Sequence, residues 1–138
     1  VNTHYDRGMF SSIQTGVRHF EGRCRAFFLH PADIPFVASD TLKTLIGAFQ
    51  TGEMDIYRPC YGGKHGHPPL ISAALIKEIL EFNGGGGMRA LLARYAKKTR
   101  NIDCDDPGIL TDIDTPDDYR KALESFPSGF NEIWRRSE

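Results

Sequence analysis

The chain has 138 residues and a net charge of −1, with 40% hydrophobic and 25% charged residues. This length suits one domain with a hydrophobic core, and the charge excludes an overall basic surface for nucleic acid or a membrane. No apolar run reaches the length of a membrane span. The three cysteines are widely spaced and odd in number. We therefore expect free thiols and a cytoplasmic protein.

The first predicted element is a helix from Met9 to Phe20, which follows a polar loop over residues 1–8. Ser11 or Ser12 could cap this helix. Free backbone N–H groups at its start, near Gly8, could hold a phosphate or the polar edge of a base. Spacing alone favours an ordinary helix cap over such a binding site.

A short apolar run, Ala26 to Leu29, predicts a buried strand that leads into the segment His30-Pro31-Ala32-Asp33-Ile34-Pro35. The two prolines stop the strand and stiffen the turn, so we expect Asp33 at the carboxyl end of the strand. A carboxylate held there suits a hard cation such as Mg²⁺. An aspartate in a proline-flanked turn is equally common for purely structural reasons.

The central part of the chain predicts a helix that starts at Ser39 and is ended by Gly52, and then a strand from Asp55 to Tyr61. Pro59 interrupts this strand. Because proline lacks the N–H group that a sheet ladder needs, the prediction is an edge strand or a bulged strand.

A glycine-rich loop over residues 62–69 carries His65 and His67. No other cysteine or histidine lies near enough in sequence to complete a metal site. Contact with a substrate is the favoured functional interpretation, and a solvated hairpin turn is almost as well supported.

Two further helices are predicted, from Ser72 to Phe82 and from Met88 to Tyr95, on either side of four glycines at 84–87. The glycines lack a preceding strand and a Gly-Lys-Ser/Thr ending, so they are interpreted as a flexible break. A strand from Thr99 to Cys104 and a turn at 105–108 follow.

The segment T-D-I-D-T-P-D-D-Y, residues 111–119, combines a helix start with acids that precede it. Thr115 and Asp118 have the spacing of a capping box. Asp112 and Asp114 precede the cap and point to one side of an extended chain. Ligand sites of α/β sheets lie where a strand ends and a helix begins, so these two acids are interpreted as site residues.

The last predicted helix places Tyr119, Ala122, Leu123 and Phe126 on one face. Pro127 ends it, so the predicted domain spans residues 1–126 and a tail spans residues 127–138. Helices alternate with short apolar strands along the chain, which indicates an α/β layer fold.

Four segments, in this order, resemble the nucleotidyltransferases of molybdenum-cofactor biosynthesis, the MobA-like NTP transferases, and especially their cytidylyltransferase-like branch. They are G-M-F-S-S-I-Q-T-G at 8–16, P-A-D-I-P at 31–35, Y-G-G-K-H-G-H-P at 61–68 and D-I-D-T-P-D-D-Y at 112–119.

The resemblance implies a three-layer, Rossmann-like fold of the nucleotide-diphospho-sugar transferase type. It implies transfer of CMP or GMP from CTP or GTP to a phosphorylated pterin such as molybdopterin, with release of pyrophosphate. Mg²⁺ would be the cofactor. The roles implied are Asp33 and Asp114 as metal ligands, Asp112 close by, Gly8, Ser11 and Ser12 at the nucleotide, and the loop Gly66-His67-Pro68 facing the acceptor.

The sequence departs from this family at its beginning. Family members begin with a strand and a glycine-rich L-A-A-G-x-S-x-R-M-G…K loop, whereas this sequence begins at Val1 and contains no such loop. We therefore expect either a fragment of a longer chain or the product of a truncated gene, and we expect it to be weak or inactive alone. The alternative is a non-catalytic homologue that serves as a regulatory or interaction module. An uncovered sheet edge would favour self-association.

Overall fold

The computed structural model describes residues 2–3, 6 and 8–125, which form one mixed sheet with helices on both faces. The helices are α1 (Met9–Arg18), α2 (Ser39–Thr51), α3 (Ile76–Glu81), α4 (Gly87–Arg94) and α5 (Pro116–Ser125). The strands are β1 (Ala26–Phe28), β2 (Ile56–Tyr61), β3 (Lys64–His65), β4 (Leu70–Ser72) and β5 (Thr99–Asp103). Short 3₁₀ turns cover Ala73–Leu75, Ala96–Lys98 and Pro107–Leu110.

Three of the strands run in the same direction and so share an edge of the sheet. β4 lies between β1 and β2 and is antiparallel to both, and β5 is parallel to β2 on its other side. β3 pairs antiparallel with the end of β2, on the same side of β2 as β4, and the two strands form a short hairpin. The carboxyl ends of β1, β2 and β5 therefore meet at one edge, which we call the carboxyl edge.

The sheet separates two hydrophobic clusters. On one face Phe27, Ile56 and Ile71 pack with apolar side chains of α1, α3 and α4. On the other face Tyr57 and Leu70 pack with Leu45 of α2. Alternation along each strand sends successive side chains to opposite faces, which explains this division. The predicted three-layer α/β fold is confirmed.

The start of α1 differs from the prediction. Its N-cap is Gly8, at φ 89°, which has no side chain to accept from the helix N–H groups. Ser11 and Ser12 lie inside the helix, so the expected serine cap is wrong. Glycine reaches this positive φ without the steric cost that a side chain would add, which explains its place here. The helix ends at Arg18, and Phe20 instead stacks on Phe27, with ring centroids 5.8 Å apart.

β2 is an interior strand, so of the two predicted possibilities, an edge strand or a bulged strand, the first is wrong. Its first residues pair with β4, its last residues pair with β3, and β5 lies along its whole length. The carbonyl oxygen of Pro59 accepts a hydrogen bond from the Gly66 N–H at 2.9 Å, on the β3–β4 side. Since the N and C=O of a strand residue face the same side, the absent N–H falls in the gap between β4 and β3.

Two other predicted helices need correction. Ser72 belongs to β4, its Oγ accepts a hydrogen bond from the Ala74 N–H at 3.2 Å, and α3 begins only at Ile76. In α5 Ala122 is buried but Tyr119 is 48% exposed, so Tyr119 does not face the core. Phe126 and the predicted tail at 127–138 lie outside the described residues, and the domain boundary stays a prediction. No helix in the described ranges is long and apolar enough to cross a membrane.

Candidate functional site

Asp33 lies just beyond the carboxyl end of β1, as predicted from the flanking prolines. The Ile34 N–H donates to the Pro31 carbonyl oxygen at 3.3 Å and closes the turn. Asp33 is exposed at this turn. Its carboxylate is therefore presented to solvent at the carboxyl edge, next to the beginning of the loop that leads to α2.

The segment that carries Asp112 and Asp114 lies directly beside Asp33. The Ile113 N–H, between the two acids, donates to the Asp33 carbonyl oxygen at 2.7 Å. Asp112 and Asp114 are exposed, whereas Ile113 is half-buried. A single backbone hydrogen bond thus places two acidic segments, far apart in sequence, next to each other.

The acids that follow belong to the helix start, as predicted. Thr115 and Asp118 form a reciprocal capping box: the Thr115 N–H donates to Asp118 Oδ2 at 2.9 Å, and the Asp118 N–H donates to Thr115 Oγ1 at 3.2 Å. The Thr115 hydroxyl also donates to Asp118 Oδ2, at 2.7 Å, and this hydrogen bond is the main reason that the pKa of Asp118 lies below its ordinary value. Asp117 pairs with Arg120. Asp118 and Asp117 are thus engaged in local contacts of α5.

The donor set at this edge is suited to a hard divalent cation. Exposed carboxylates from the Asp33 turn and from residues 112–114 offer oxygen ligands from two adjacent segments. Within the described ranges, no three His, Cys, Asp or Glu side chains form a complete metal cluster. Mg²⁺ is commonly held by one or two carboxylates, with water and phosphate oxygens in its other positions. The residues present therefore fit an open site of that kind.

The glycine-rich loop divides into a hairpin and a buried segment. Gly62 and Gly63, at φ 54° and 76°, form a two-residue turn between β2 and β3. His65 lies in β3, with its Nδ1 3.1 Å from Cys60 Sγ, so the expectation that no cysteine lies near these histidines is wrong. Among the described residues this pair is not part of a group of three possible metal ligands. The hairpin interpretation therefore holds for residues 62–65, and the two histidines have different environments.

His67 lies between the Asp33 turn and the 3₁₀ turn at Pro107–Leu110. Its N–H donates to the Ile109 carbonyl oxygen at 2.9 Å, and its ring is half-buried. Burial lowers the pKa of His67, nearby His30 lowers it further, and Asp33 together with the backbone of Leu29 raises it. Its Nδ1 is buried without a hydrogen-bond partner among the described residues. The loop at 66–68 therefore borders the acidic segments, and His30 is a neighbour that the sequence did not single out.

Acid is expected to destabilise the protein partly through His67. Its pKa is lowered on folding, so as the pH falls below about 6.5 the unfolded chain takes up the proton first. The contribution of neutral His67 to the free energy of unfolding is fully present above this pH. It is lost as the pH falls toward the pKa that His67 has in the folded protein. The variant H67Q should show a shallower fall in the free energy of unfolding between about pH 7 and pH 5. Urea titrations measure this, with H19Q at an exposed histidine as control; equal slopes for H67Q and wild type would contradict it.

Gly8, Ser11 and Ser12, the residues expected at the nucleotide, lie at the start of α1. Contacts with Asn2, α3 and α4 hold this start in place. Asn2 Nδ2 donates to Ser11 Oγ and to Ser12 Oγ, both at 2.9 Å. Phe10 packs edge-on against Phe82, with ring centroids 5.7 Å apart, at the turn between α3 and α4. Because α4 leads back to the amino end of β5, this turn lies toward the carboxyl edge. The start of α1 is thus directed to the same edge, and the contacts that fix it are made with α3 and α4.

Comparisons with known proteins agree with this architecture. The chain is 26% identical over 128 residues to the molybdenum cofactor cytidylyltransferase of Escherichia coli K12, a match that covers 91% of the chain and 62% of that protein. It is 28% identical to Rv0371c of Mycobacterium tuberculosis, solved in complex with manganese, with a TM-score of 0.66 over 86% of the chain and 62% of that structure.

A second solved structure supports the fold alone. It is molybdopterin-guanine dinucleotide biosynthesis protein A of Archaeoglobus fulgidus, 19% identical, with a TM-score of 0.62 over 88% of the chain and 64% of that structure. The chain spans less than two thirds of the length of each of these three proteins. Residues 1–99 match the family described as the MobA-like NTP transferase domain. Together with the four motifs, this match shows that the chain belongs to the MobA-like NTP transferase family.

Proposed function

We propose that the protein is a divalent-metal-dependent nucleotidyltransferase. It transfers CMP or GMP from CTP or GTP to a phosphorylated pterin such as molybdopterin and releases pyrophosphate. The observation that carries this proposal is the hydrogen bond from the Ile113 N–H to the Asp33 carbonyl oxygen. It sets two acidic segments side by side at the edge where open α/β sheets bind ligands. Membership of the family supplies the reaction class.

In this proposal Asp33 and Asp114 are the metal ligands, and Asp112 lies close enough to support or replace one of them. Mg²⁺ is the proposed ion, since carboxylate and phosphate oxygens are its preferred ligands. The manganese complex of the Mycobacterium tuberculosis relative supports a divalent ion in general. Such an ion, when bound, neutralises charge on the α-phosphate and on the leaving pyrophosphate.

The other proposed roles follow from the surroundings of the acids. The start of α1, with Gly8, Ser11 and Ser12, contacts the nucleotide. The segment Gly66-His67-Pro68 faces the acceptor, because His67 borders both the Asp33 turn and the 3₁₀ turn that precedes Asp112. Burial favours the neutral form of His67, so the imidazole orients the acceptor by hydrogen bonding and adds no charge there. Holding the acceptor phosphate beside the metal site would supply the positioning that phosphoryl chemistry needs.

Titration of the full-length protein with CTP and GTP tests this proposal. We expect saturable binding that requires Mg²⁺ or Mn²⁺, and metal-dependent transfer of labelled nucleotide to molybdopterin. The 138 residues contain no L-A-A-G-x-S-x-R-M-G…K loop, so this chain assayed alone should be weak or inactive. Absence of metal-dependent nucleotide binding in the full-length protein would favour the alternative, a regulatory or interaction module.

The outer edge of β1 supports self-association of the 138-residue chain as a further part of the proposal. The Ala73 N–H donates to the Arg25 carbonyl oxygen and the Leu29 N–H to that of Pro69, so alternation directs the backbone groups of Ala26 and Phe28 away from β4. No strand in the described ranges pairs with them. Sedimentation velocity should show concentration-dependent dimers that the variant A26P weakens; a monomer at all concentrations would contradict this.

The proposed compartment is the cytoplasm. Cys24, Cys60 and Cys104 are all free thiols, which a reducing environment maintains.

A further inference from the structure

We propose that Asp106 is a positioning residue that holds the two acidic segments of the site in register. It does not belong to the proposed metal ligands, and its function is to fix the start of α2 against the 3₁₀ turn at Pro107–Leu110. The inference rests on the proposed function, since it concerns how Asp33 and Asp114 come to share one ion.

Asp106 is a buried carboxylate whose partners are all neutral donors. It is 5% exposed, and no Lys or Arg in the described ranges forms an ion pair with it. Oδ2 accepts hydrogen bonds from the Ala38 N–H at 2.9 Å and from Thr41 Oγ1 at 2.6 Å, and Oδ1 accepts one from the Gly108 N–H at 2.9 Å. An unpaired buried charge is costly unless hydrogen bonds satisfy it. The three donors around position 106 therefore suit a carboxylate. The side-chain amide of an asparagine could not accept all three hydrogen bonds.

These hydrogen bonds join the two segments that carry the acids. The loop that begins at the Asp33 turn ends at Ala38, the N-cap of α2, and Thr41 lies in the first turn of that helix. Gly108 belongs to the 3₁₀ turn that leads to Asp112. The two backbones touch here, because a Cβ on Gly108 would lie only 2.0 Å from the Phe36 carbonyl oxygen. Asp106 thus closes one end of the contact, and the hydrogen bond from Ile113 to Asp33 closes the other.

The same 3₁₀ turn also fixes the loop at residues 66–68, which is proposed to face the acceptor and is called the acceptor loop below. The His67 N–H donates to the Ile109 carbonyl oxygen, and Gly66 packs directly on Ile109. A displacement of this turn would therefore move the acidic segment at 112–114 and the loop at 66–68 together. Positioning through Asp106 consequently reaches both the metal ligands and the acceptor.

The variant D106N tests the proposal in the full-length protein. Asparagine offers only one acceptor oxygen, so in either orientation its NH₂ group faces an N–H or O–H donor. We expect the metal concentration for half-maximal transfer to rise by about tenfold or more. In other metalloproteins, loss of a residue that orients a metal ligand has an effect of this size. T41V, which removes one donor, should show a smaller rise, and T41S should restore the wild-type value. D40N, at an exposed acid of the same helix start, is the matched control.

Amide hydrogen exchange provides a readout that does not depend on catalysis. In D106N the Ile113 N–H should exchange about tenfold faster, whereas the Ser72 N–H, bonded to the Asp55 carbonyl oxygen in the sheet, should change little. If D106N does not fold, the exchange rates of the Ile113 and Ser72 N–H groups are compared in T41V instead.

The outcomes separate this proposal from the proposed function. An unchanged metal dependence and an Ile113 exchange rate that changes only in parallel with Ser72 would overturn the positioning role, even if the melting temperature falls. A wild-type protein without metal-dependent transfer would instead defeat the proposed function, and this proposal with it.

Discussion

Replacement of Asp33 or Asp114 by asparagine is expected to reduce nucleotidyl transfer by about a thousandfold in the full-length protein. In the proposed metal site, each change would remove a charged oxygen ligand while keeping the size of the side chain. Loss of a metal that stabilises the transition state costs several kcal/mol, and about 4 kcal/mol corresponds to a thousandfold in rate. Both side chains are exposed, so folding should be unaffected. Steady-state kinetics at several Mg²⁺ concentrations measure the effect.

Two neighbouring acids provide a matched control and a test of the assignment. D117N alters an acid that pairs with Arg120 on the exposed surface of α5 and should retain activity within about twofold. D112N should have an intermediate effect, because this acid lies on the same extended segment as Asp114. Full activity in D114N with complete loss in D112N would exchange their roles. Full activity in D33N would remove the β1 turn from the metal site altogether.

Local chemistry was sufficient to predict the parts of the site whose hydrogen bonds join near neighbours in sequence. The capping box of Thr115 and Asp118 depends on two side chains in one helical turn, and it forms as expected. Prolines on both sides of Asp33 determine its turn in the same way. The assignment of Asp112 and Asp114 to a separate site rested on their place before the cap.

Features that depend on distant partners could not be predicted. Pro59 suggested an edge strand, but it lies inside the sheet because the partner of β2 changes from β4 to β3 beside it. Asp106 had the signature of an exposed turn, D-D-P-G. Its donors Ala38 and Thr41 lie more than 60 residues earlier, so no local pattern distinguishes this buried carboxylate from the exposed Asp105.

The pairing of Asp33 with residues 112–114 lies between these cases. Family resemblance implied that Asp33 and Asp114 share an ion, and the sequence placed Asp33 correctly after β1. The strand end expected before Asp112 is wrong, because β5 ends at Asp103 and the 3₁₀ turn at Pro107–Leu110 leads to residues 112–114. What brings them together is a main-chain hydrogen bond, from Ile113 to Asp33. A main-chain bond leaves no trace in residue type, since every residue except proline carries the same donor and acceptor.

The variant G66A should disturb the acceptor loop more than any other small change in it. A Cβ at Gly66 would lie 2.5 Å from Ile109 Cγ1 and 2.6 Å from the Ile109 carbonyl oxygen, which accepts the His67 N–H. The loop and the 3₁₀ turn must separate to relieve these contacts. We expect the free energy of unfolding to fall by about 2 kcal/mol, as for other overpacked sites. Urea unfolding measures this change.

The kinetic effect of G66A should be selective, because the proposed function places the displaced loop at the acceptor and the start of α1 at the nucleotide. The KM for the pterin should then rise by about tenfold, while the KM for the nucleotide should change little. G47A is the matched control: Gly47 lies in the exposed middle of α2, and its Cβ would have nothing within 4 Å. Alanine there should stabilise the protein by about 1 kcal/mol and leave both KM values unchanged. Equal stability of the two variants would contradict the predicted clash with Ile109. Equal rises of both KM values in G66A would contradict the assignment of this loop to the acceptor.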